Sequence, residues 1–518
     1  MISEIQKLVS FRLQLYSHFH KRKDAIMNLI DALCSYGNQC KSIVELSLAS
    51  CFERQYSSIT DAIADGLPHA NWPAIEKLIF EHSRQDKNVP VKFIVDTTPN
   101  PRPFAKTLQD RTIVHVPNPA PGNKPIGVGH QYSVLAILPS DLESQQKHWL
   151  IPISAQRVSS EQKGNEIGMQ QILSHIDDFE LKEQLTISMG DSLYGTEKCR
   201  VLASSQDNLV HIFRLNSKRT IFCKPDANLN LKGKGRKKEY GSKMTLNDIT
   251  SHVGHEEECQ LPWQTKKGKS YHVVIKCWKD KLVRGSRKFK SAKYPLNVIQ
   301  VSVLDDTGKN VFKNPLWLGI FGQRRHELKL QDCFNDYRSR YDIEHFFRYG
   351  KSNLLMSSHQ TPDIEHEELW WKLCLVAYYQ LYLAKTLAPT LPQPWERYLP
   401  EYKNKSTISS PSQTQRGFDK VLKEVDTPAA PCIPRGNPVG RKLGDNMIKR
   451  ELAPIKFKNK TKNKNDKKAS KINILGFEND AIYSNPQKID EFVFYIKSQM
   501  KDFGITPDEL TKLLINSS

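Results

Sequence analysis

The segment from Asp336 to Met356, DYRSRYDIEHFFRYGKSNLLM, restricts this chain more than any other. Read as one α-helix at about 100° per residue, it sets Tyr337, Arg340, Glu344 and Lys351 in one narrow band. Residues seven apart drift by about 20°, and Arg340 lies about 40° from Glu344. Ile343, Phe346 and Phe347 point elsewhere, where they can pack. Solvated helices usually mix charges without adding a phenol at heptad spacing, so this face is suited to something anionic. The remaining chain must supply a core for the apolar side.

The charge balance agrees with an anionic partner. There are 76 Lys+Arg against 56 Asp+Glu, a net +20. An excess of that size points to nucleic acid first and an anionic membrane second. Part of it sits in the lysine run of residues 456–468, KFKNKTKNKNDKK. No stretch approaches the length of apolar sequence that a membrane-spanning helix requires, so no membrane span is expected. The first residues, MISEIQKLVSFRLQLYSHFHKRKD, lack the basic, apolar and small-residue order of a secretory leader. Ten cysteines occur without a Cys-x-x-Cys pair, as expected of reduced thiols in the cytoplasm.

Periodicity divides the chain. Residues 1–88 read as helical, with apolar positions at steps of three and four, and segments at 57–65 and 72–81 as further helices. The basic cluster His18, His20, Lys21, Arg22 and Lys23 reads as a solvated interhelical turn or as a contact with DNA backbone. From Val91 the pattern becomes α/β. VKFIVDTT is a strand, and the following PNPRP is expected to end it. Residues 127–138, 148–153, 185–190 and 209–215 read as strands, with helices at 165–184 and 196–204. Residues 216–315 break this alternation with two β-rich runs and the tight turn Asp305-Asp306-Thr307-Gly308, and read as a β insertion in a catalytic domain of residues 89–387. The apolar helix 369–387 is long enough to cross a sheet. Residues 388–470 read as a disordered basic linker, and 471–518 as a small helical segment.

Asp96 ends the apolar run FIVD, and Asp191 ends ISMGD. An aspartate ending a strand commonly caps a turn, and either residue alone reads that way. Together with Glu344 on a helix they form a different pattern. The spacing Tyr-x2-Arg-x3-Glu-x6-Lys at 337, 340, 344 and 351 resembles the signature of the YREK branch of bacterial insertion-sequence transposases. The resemblance covers roughly residues 90–385 and implies an α/β, ribonuclease-H-like mixed sheet. It assigns Asp96, Asp191 and Glu344 as the DDE carboxylates, and Tyr337, Arg340 and Lys351 as phosphate contacts at the transposon end. It further implies cleavage and strand transfer on double-stranded DNA with terminal inverted repeats, a target DNA, and a homodimer in the DNA complex.

The chemistry requires such residues. Phosphodiester transfer through two metal ions about 3.5–4 Å apart needs converging hard oxygen ligands. Three carboxylates are enough to hold two Mg²⁺, or Mn²⁺ in its place, with water and phosphate completing each shell. Arginine suits bidentate phosphate contact and lysine acts as a point charge. A nuclease or resolvase of the same fold, and a retired transposase that only binds DNA, are the alternatives. Trp263 and Trp317 are candidates to stack a flipped base, although core positions are the more ordinary reading for both. His252, His255 and Cys259 have metal-like spacing without an evident fourth ligand, and read as surface. The basic loop KGKGRKK lacks the Gly-Lys-Ser/Thr ending of a phosphate loop.

Overall fold

The computed structural model describes residues 2–84, 86, 88–116, 125–225, 239–264, 268–285, 293–390, 408–433, 440, 442, 444 and 449–457. The KGKGRKK loop, the lysine run past residue 457 and the segment 471–518 lie outside them.

Four helices open the chain: α1 (Ile2–Ser17), α2 (Lys23–Tyr36), α3 (Ser57–Asp61) and α4 (Trp72–Ser83). They share one apolar core with the rest of the molecule. Arg12 of α1 and Asp31 of α2, both 1% exposed, form a 2.6 Å ion pair, and Arg12 also donates to Gln380. The basic turn between α1 and α2 is partly internalised, with Arg22 reaching Asp65 at 3.2 Å.

The strands that follow assemble into one mixed sheet. β1 (Val91–Pro101) lies between β3 (Ile126–Ile137), antiparallel, and β5 (Thr186–Gly190), parallel. β4 (Ile151–Val158) pairs with β3, and β6 (Leu209–Arg214) runs parallel to β5. The order β4-β3-β1-β5-β6 is consistent with a ribonuclease-H-like domain. β2 (Thr112–His115) pairs with the start of β3, and α5 (Leu142–Gln146) precedes β4. The crossover helix α6 (Gly164–Asp178) lies close over β1: a Cβ at Gly168 would stand 2.6 Å from Val95. α7 (Glu197–Ala203) links β5 to β6.

One expectation fails at PNPRP. β1 continues through it, with Pro99 opposite Gln131 and Pro101 opposite Gly129. Arg102 N donates to Val128 O, so Asn100 and Arg102 face β3 while both prolines face away. On that side the pairing with β5 ends at Ile94. Proline is tolerated where no ladder donor is needed.

The insertion extends the same sheet. β7 (Thr220–Phe222), β8 (Lys243–Thr245), β9 (Glu257–Gln264), β10 (Ser270–Val283) and β11 (Leu296–Leu304) lead to β12 (Leu316–Phe321), which pairs antiparallel with β6. Cys259 thus lies on β9, and His252 packs edge-on against Trp278 and Trp317.

α8 (Leu330–Ser339), α9 (Asp342–Asn353) and α10 (Ile364–Leu383) follow. α10 is buried nearly all round, as its apolar composition requires. The expected linker is interrupted by α11 (Leu387–Thr390) and α12 (Pro411–Val425). Phe418, Val421 and Val425 of α12 recur at helical spacing and are buried, and Gln415 donates to Leu33 O. Gln413 accepts from the Ser410 amide and Pro411 opens the first turn. Averaged composition concealed this short amphipathic piece. Residues 453–456 follow the chain leading into β2, with Ala453 N donating to Lys106 O and Lys456 N to Arg111 O.

Candidate active site

Register brings the aspartates together. Ile94 of β1 is level with Met189 of parallel β5, and the same register two residues on sets Asp96 of β1 beside Asp191, the residue just past the end of β5. Neighbouring strands lie about 4.8 Å apart, and level residues on parallel strands share a face. β5 ends at Gly190, where Asp191 accepts from Leu193 N at 2.8 Å and caps a short turn. The turn-capping reading of Asp191 is therefore also true. One of its oxygens serves the backbone.

The signature segment is not one straight helix. α8 ends at Ser339 and α9 begins at Asp342. Across the junction Tyr341 N, Ile343 N and Glu344 N bond the carbonyls three residues back, at Arg338, Arg340 and Tyr341. Each such step turns about 20° more than an α-helical step. Lys92 anchors α8 by a 2.7 Å bond to Asp336.

Arg340 stands at the break and is the hub. Its Nη1 lies 3.1 Å from Asp96 Oδ2, and its Nη2 lies 3.9 Å from Glu344 Oε1. Asp191 and Glu344 are close enough to Asp96 to raise its pKa. The structure thus brings Asp96, Asp191, Glu344 and Arg340 together. Tyr337 is buried, with its ring 5.6 Å from the Arg340 guanidinium. Lys351 turns towards β1, donating to Thr98 Oγ1 and Pro99 O at 2.7 Å. Glu344 is the open member, its side chain 45% exposed against 17% for Asp96.

The electrostatics follow from this count of charges. Burial pushes the Asp96 carboxyl up to about 6; Arg340 and the Thr97 amide pull it down, and Asp191 and Glu344 push it up. Arg340 is the guanidinium within ion-pair distance of Asp96 and Glu344. Burial also lowers Lys351 to about 8. An excess of negative charge that favours protonation is the environment a divalent cation relieves, and the donors are hard oxygens. The residues fit such an ion. Asp191 and Glu344 need not meet at one ion, because two ions about 3.5–4 Å apart separate their outer ligands.

The two tryptophans part company. Trp317 is 1% exposed and belongs to the core. Trp263 is half-buried on β9, stacks on Tyr271 and lies 4.6 Å from the guanidinium of Arg338. That places an aromatic of the insertion beside α8. Helical periodicity sets Arg338 off the signature face, and nothing in the sequence pairs it with a residue of the insertion.

Sequence reasoning also passed over a donor set on the other side of α9, formed by His148, Asp342 and His345. Asp342 and His345 are three apart and so share a helix face, which is legible. Their partner, nearly two hundred positions earlier, is not.

A family model described as DDE superfamily endonuclease matches residues 14–271. The match spans Asp96 and Asp191 and stops before Glu344. It supports a transposase or nuclease function, and such domains generally use divalent metals. No curated protein matches the chain.

Proposed function

We propose that this chain is a DDE transposase of the YREK branch, cutting and joining DNA at the ends of an insertion sequence. Asp96, Asp191 and Glu344 are its catalytic carboxylates. The observation that carries the reading is the register that levels Asp96 with Asp191, with Arg340 bridging Asp96 and Glu344. Two Mg²⁺ ions, or Mn²⁺, held by the three carboxylates would activate the attacking oxygen and stabilise the leaving 3′-oxygen. The chain's own residues orient the DNA. Arg340 is held by Asp96 in the free protein and is positioned to pass to a phosphate oxygen, where bidentate contact is strong. Lys351 adds a point charge beside β1, and Tyr337 supports the Arg340 plane. Trp263, half-buried on β9, would stack an unpaired base once freed from Arg338.

Pairing two element ends calls for a homodimer on DNA with terminal inverted repeats, and the basic excess supports salt-sensitive DNA affinity in a cytoplasmic, nucleoid-associated protein. A nuclease or resolvase is the second reading, favoured by the endonuclease description of the matched family. It predicts cleavage without strand joining. A retired enzyme is disfavoured because all three carboxylates are present and two are bridged by one arginine.

The test is excision of a marker flanked by the gene's native borders, comparing wild type with Glu344→Gln and Asp96→Asn. Folding and DNA binding are checked for each variant. Excision by wild type alone supports the assignment, and equal excision by all three overturns it. Cleavage of branched DNA without joining would establish the nuclease reading instead.

A further inference from the structure

Among the described residues, His148, Asp342 and His345 each offer a donor atom, and the three atoms lie within 4.8 Å of one another. His148 Nδ1 is 2.5 Å from Asp342 Oδ1, and the two imidazoles stack with centroids 4.3 Å apart. Asp342 is 8% exposed on its side chain, while His148 is 42% exposed and gives access from solvent. Tyr341 packs edge-on against His345 at 5.2 Å. His148 holds a left-handed backbone (φ 59), which is strained for a residue other than glycine.

Two stacked imidazoles and one carboxylate converge here, a nitrogen-rich donor set. A neutral imidazole is the ligand form for zinc and related ions. Nitrogen donors exclude Mg²⁺ as the preferred ion and select a borderline transition metal.

We propose that His148, Asp342 and His345 form a Zn²⁺-type transition-metal site, separate from the carboxylate trio. Tetrahedral zinc with bonds of about 2.0–2.1 Å separates its ligand atoms by about 3.3 Å. The His148–Asp342 pair must then open by roughly 0.8 Å from its 2.5 Å contact. Water completes the fourth position. The ion ties the turn before β4 to the first turn of α9, where Glu344 also lies. This site does not rest on the transposase reading, and its test needs no DNA.

Full-length protein stripped with a chelator is titrated with Co²⁺ and then Zn²⁺, without Mg²⁺. The expected result is a visible Co²⁺ band of tetrahedral intensity, bleached by Zn²⁺. Zn²⁺ affinity falls at least about tenfold in His148→Gln and in His345→Gln, and is unchanged in Glu344→Gln. His148 is the safer variant because its side chain is only half-buried, at 42% exposure, and circular dichroism confirms each fold. No wild-type Co²⁺ band overturns the proposal. So does full affinity in both histidine variants, or loss of affinity in Glu344→Gln, which would place the ion on the carboxylate trio.

Discussion

Two buried carboxylate centres flank β1, and they are built in opposite ways. Glu367 of α10 is fully buried and receives Arg102 Nε at 2.7 Å, His130 Nδ1 at 2.6 Å and the Tyr132 hydroxyl at 2.8 Å. Burial alone raises a carboxyl, but here the His130 and Arg102 partners win and hold Glu367 down at about 2. Asp96 is also inside, yet has one guanidinium partner bridging it to Glu344, and two neighbouring acids, and rises to about 6. Residue type is nearly constant between the sites. What differs is the count of donors around each carboxylate, and that count separates a carboxylate held ionised from one pushed towards protonation.

The largest effect is expected at the saturated centre. Glu367→Gln leaves Arg102 buried without its charge partner and costs about 3–5 kcal/mol, read as a lowered denaturation midpoint. The sign follows from the shift: a depressed carboxyl contributes stability above its unfolded pKa and loses it as pH falls. The window runs from the ordinary 4.5 down to about 2, worth about 3 kcal/mol. An unchanged midpoint for Glu367→Gln at pH 7 would remove the contrast.

Next comes Asp96→Asn in metal-free protein, which should gain stability. A raised carboxyl opposes folding once ionised, so metal-free wild type loses stability as pH rises from 3.8 to about 6, by about 3 kcal/mol. The variant should lose that slope and melt higher at pH 7, and should also lose the stabilisation that added Mg²⁺ gives wild type. A lower melting temperature than wild type at pH 7 would show that the Arg340 pair outweighs the repulsion.

At the open centre's margin the effects shrink. Arg340→Gln removes a charge-assisted hydrogen bond to phosphate and should weaken binding to a terminal-repeat duplex by about 1–3 kcal/mol, measured as a raised Kd. Lys351→Met should reduce the slope of log affinity against log salt by about 1, the share of a single phosphate. An unaltered slope would leave Lys351 as a strut between α9 and β1.

Much of the open centre was legible. Asp96 and Asp191 close apolar runs, and the four-residue signature names Glu344 and Arg340, because apolar runs and helical faces are properties of a few consecutive residues. That Asp96 ends its strand was wrong, since β1 continues five residues past it to Pro101. The break at residues 339–342 was not legible: the two helices are tied to β1 separately, through Lys92 and Lys351, by contacts that span 244 and 253 residues of chain. The saturated centre was missed altogether. Its members, Arg102, His130 and Glu367, lie in separate elements, and no local period links them.

The sequence by itself determined most strands and helices of residues 91–215, the two aspartates that close apolar runs and the acidic helix residue. Only the tertiary structure decided which carboxylates are neutralised. Periodicity sets which way a side chain points from its own backbone, but its partners arrive from strands and helices hundreds of residues away. Coulomb energy depends on those distances, so a buried carboxylate is held ionised at Glu367 and pushed towards protonation at Asp96.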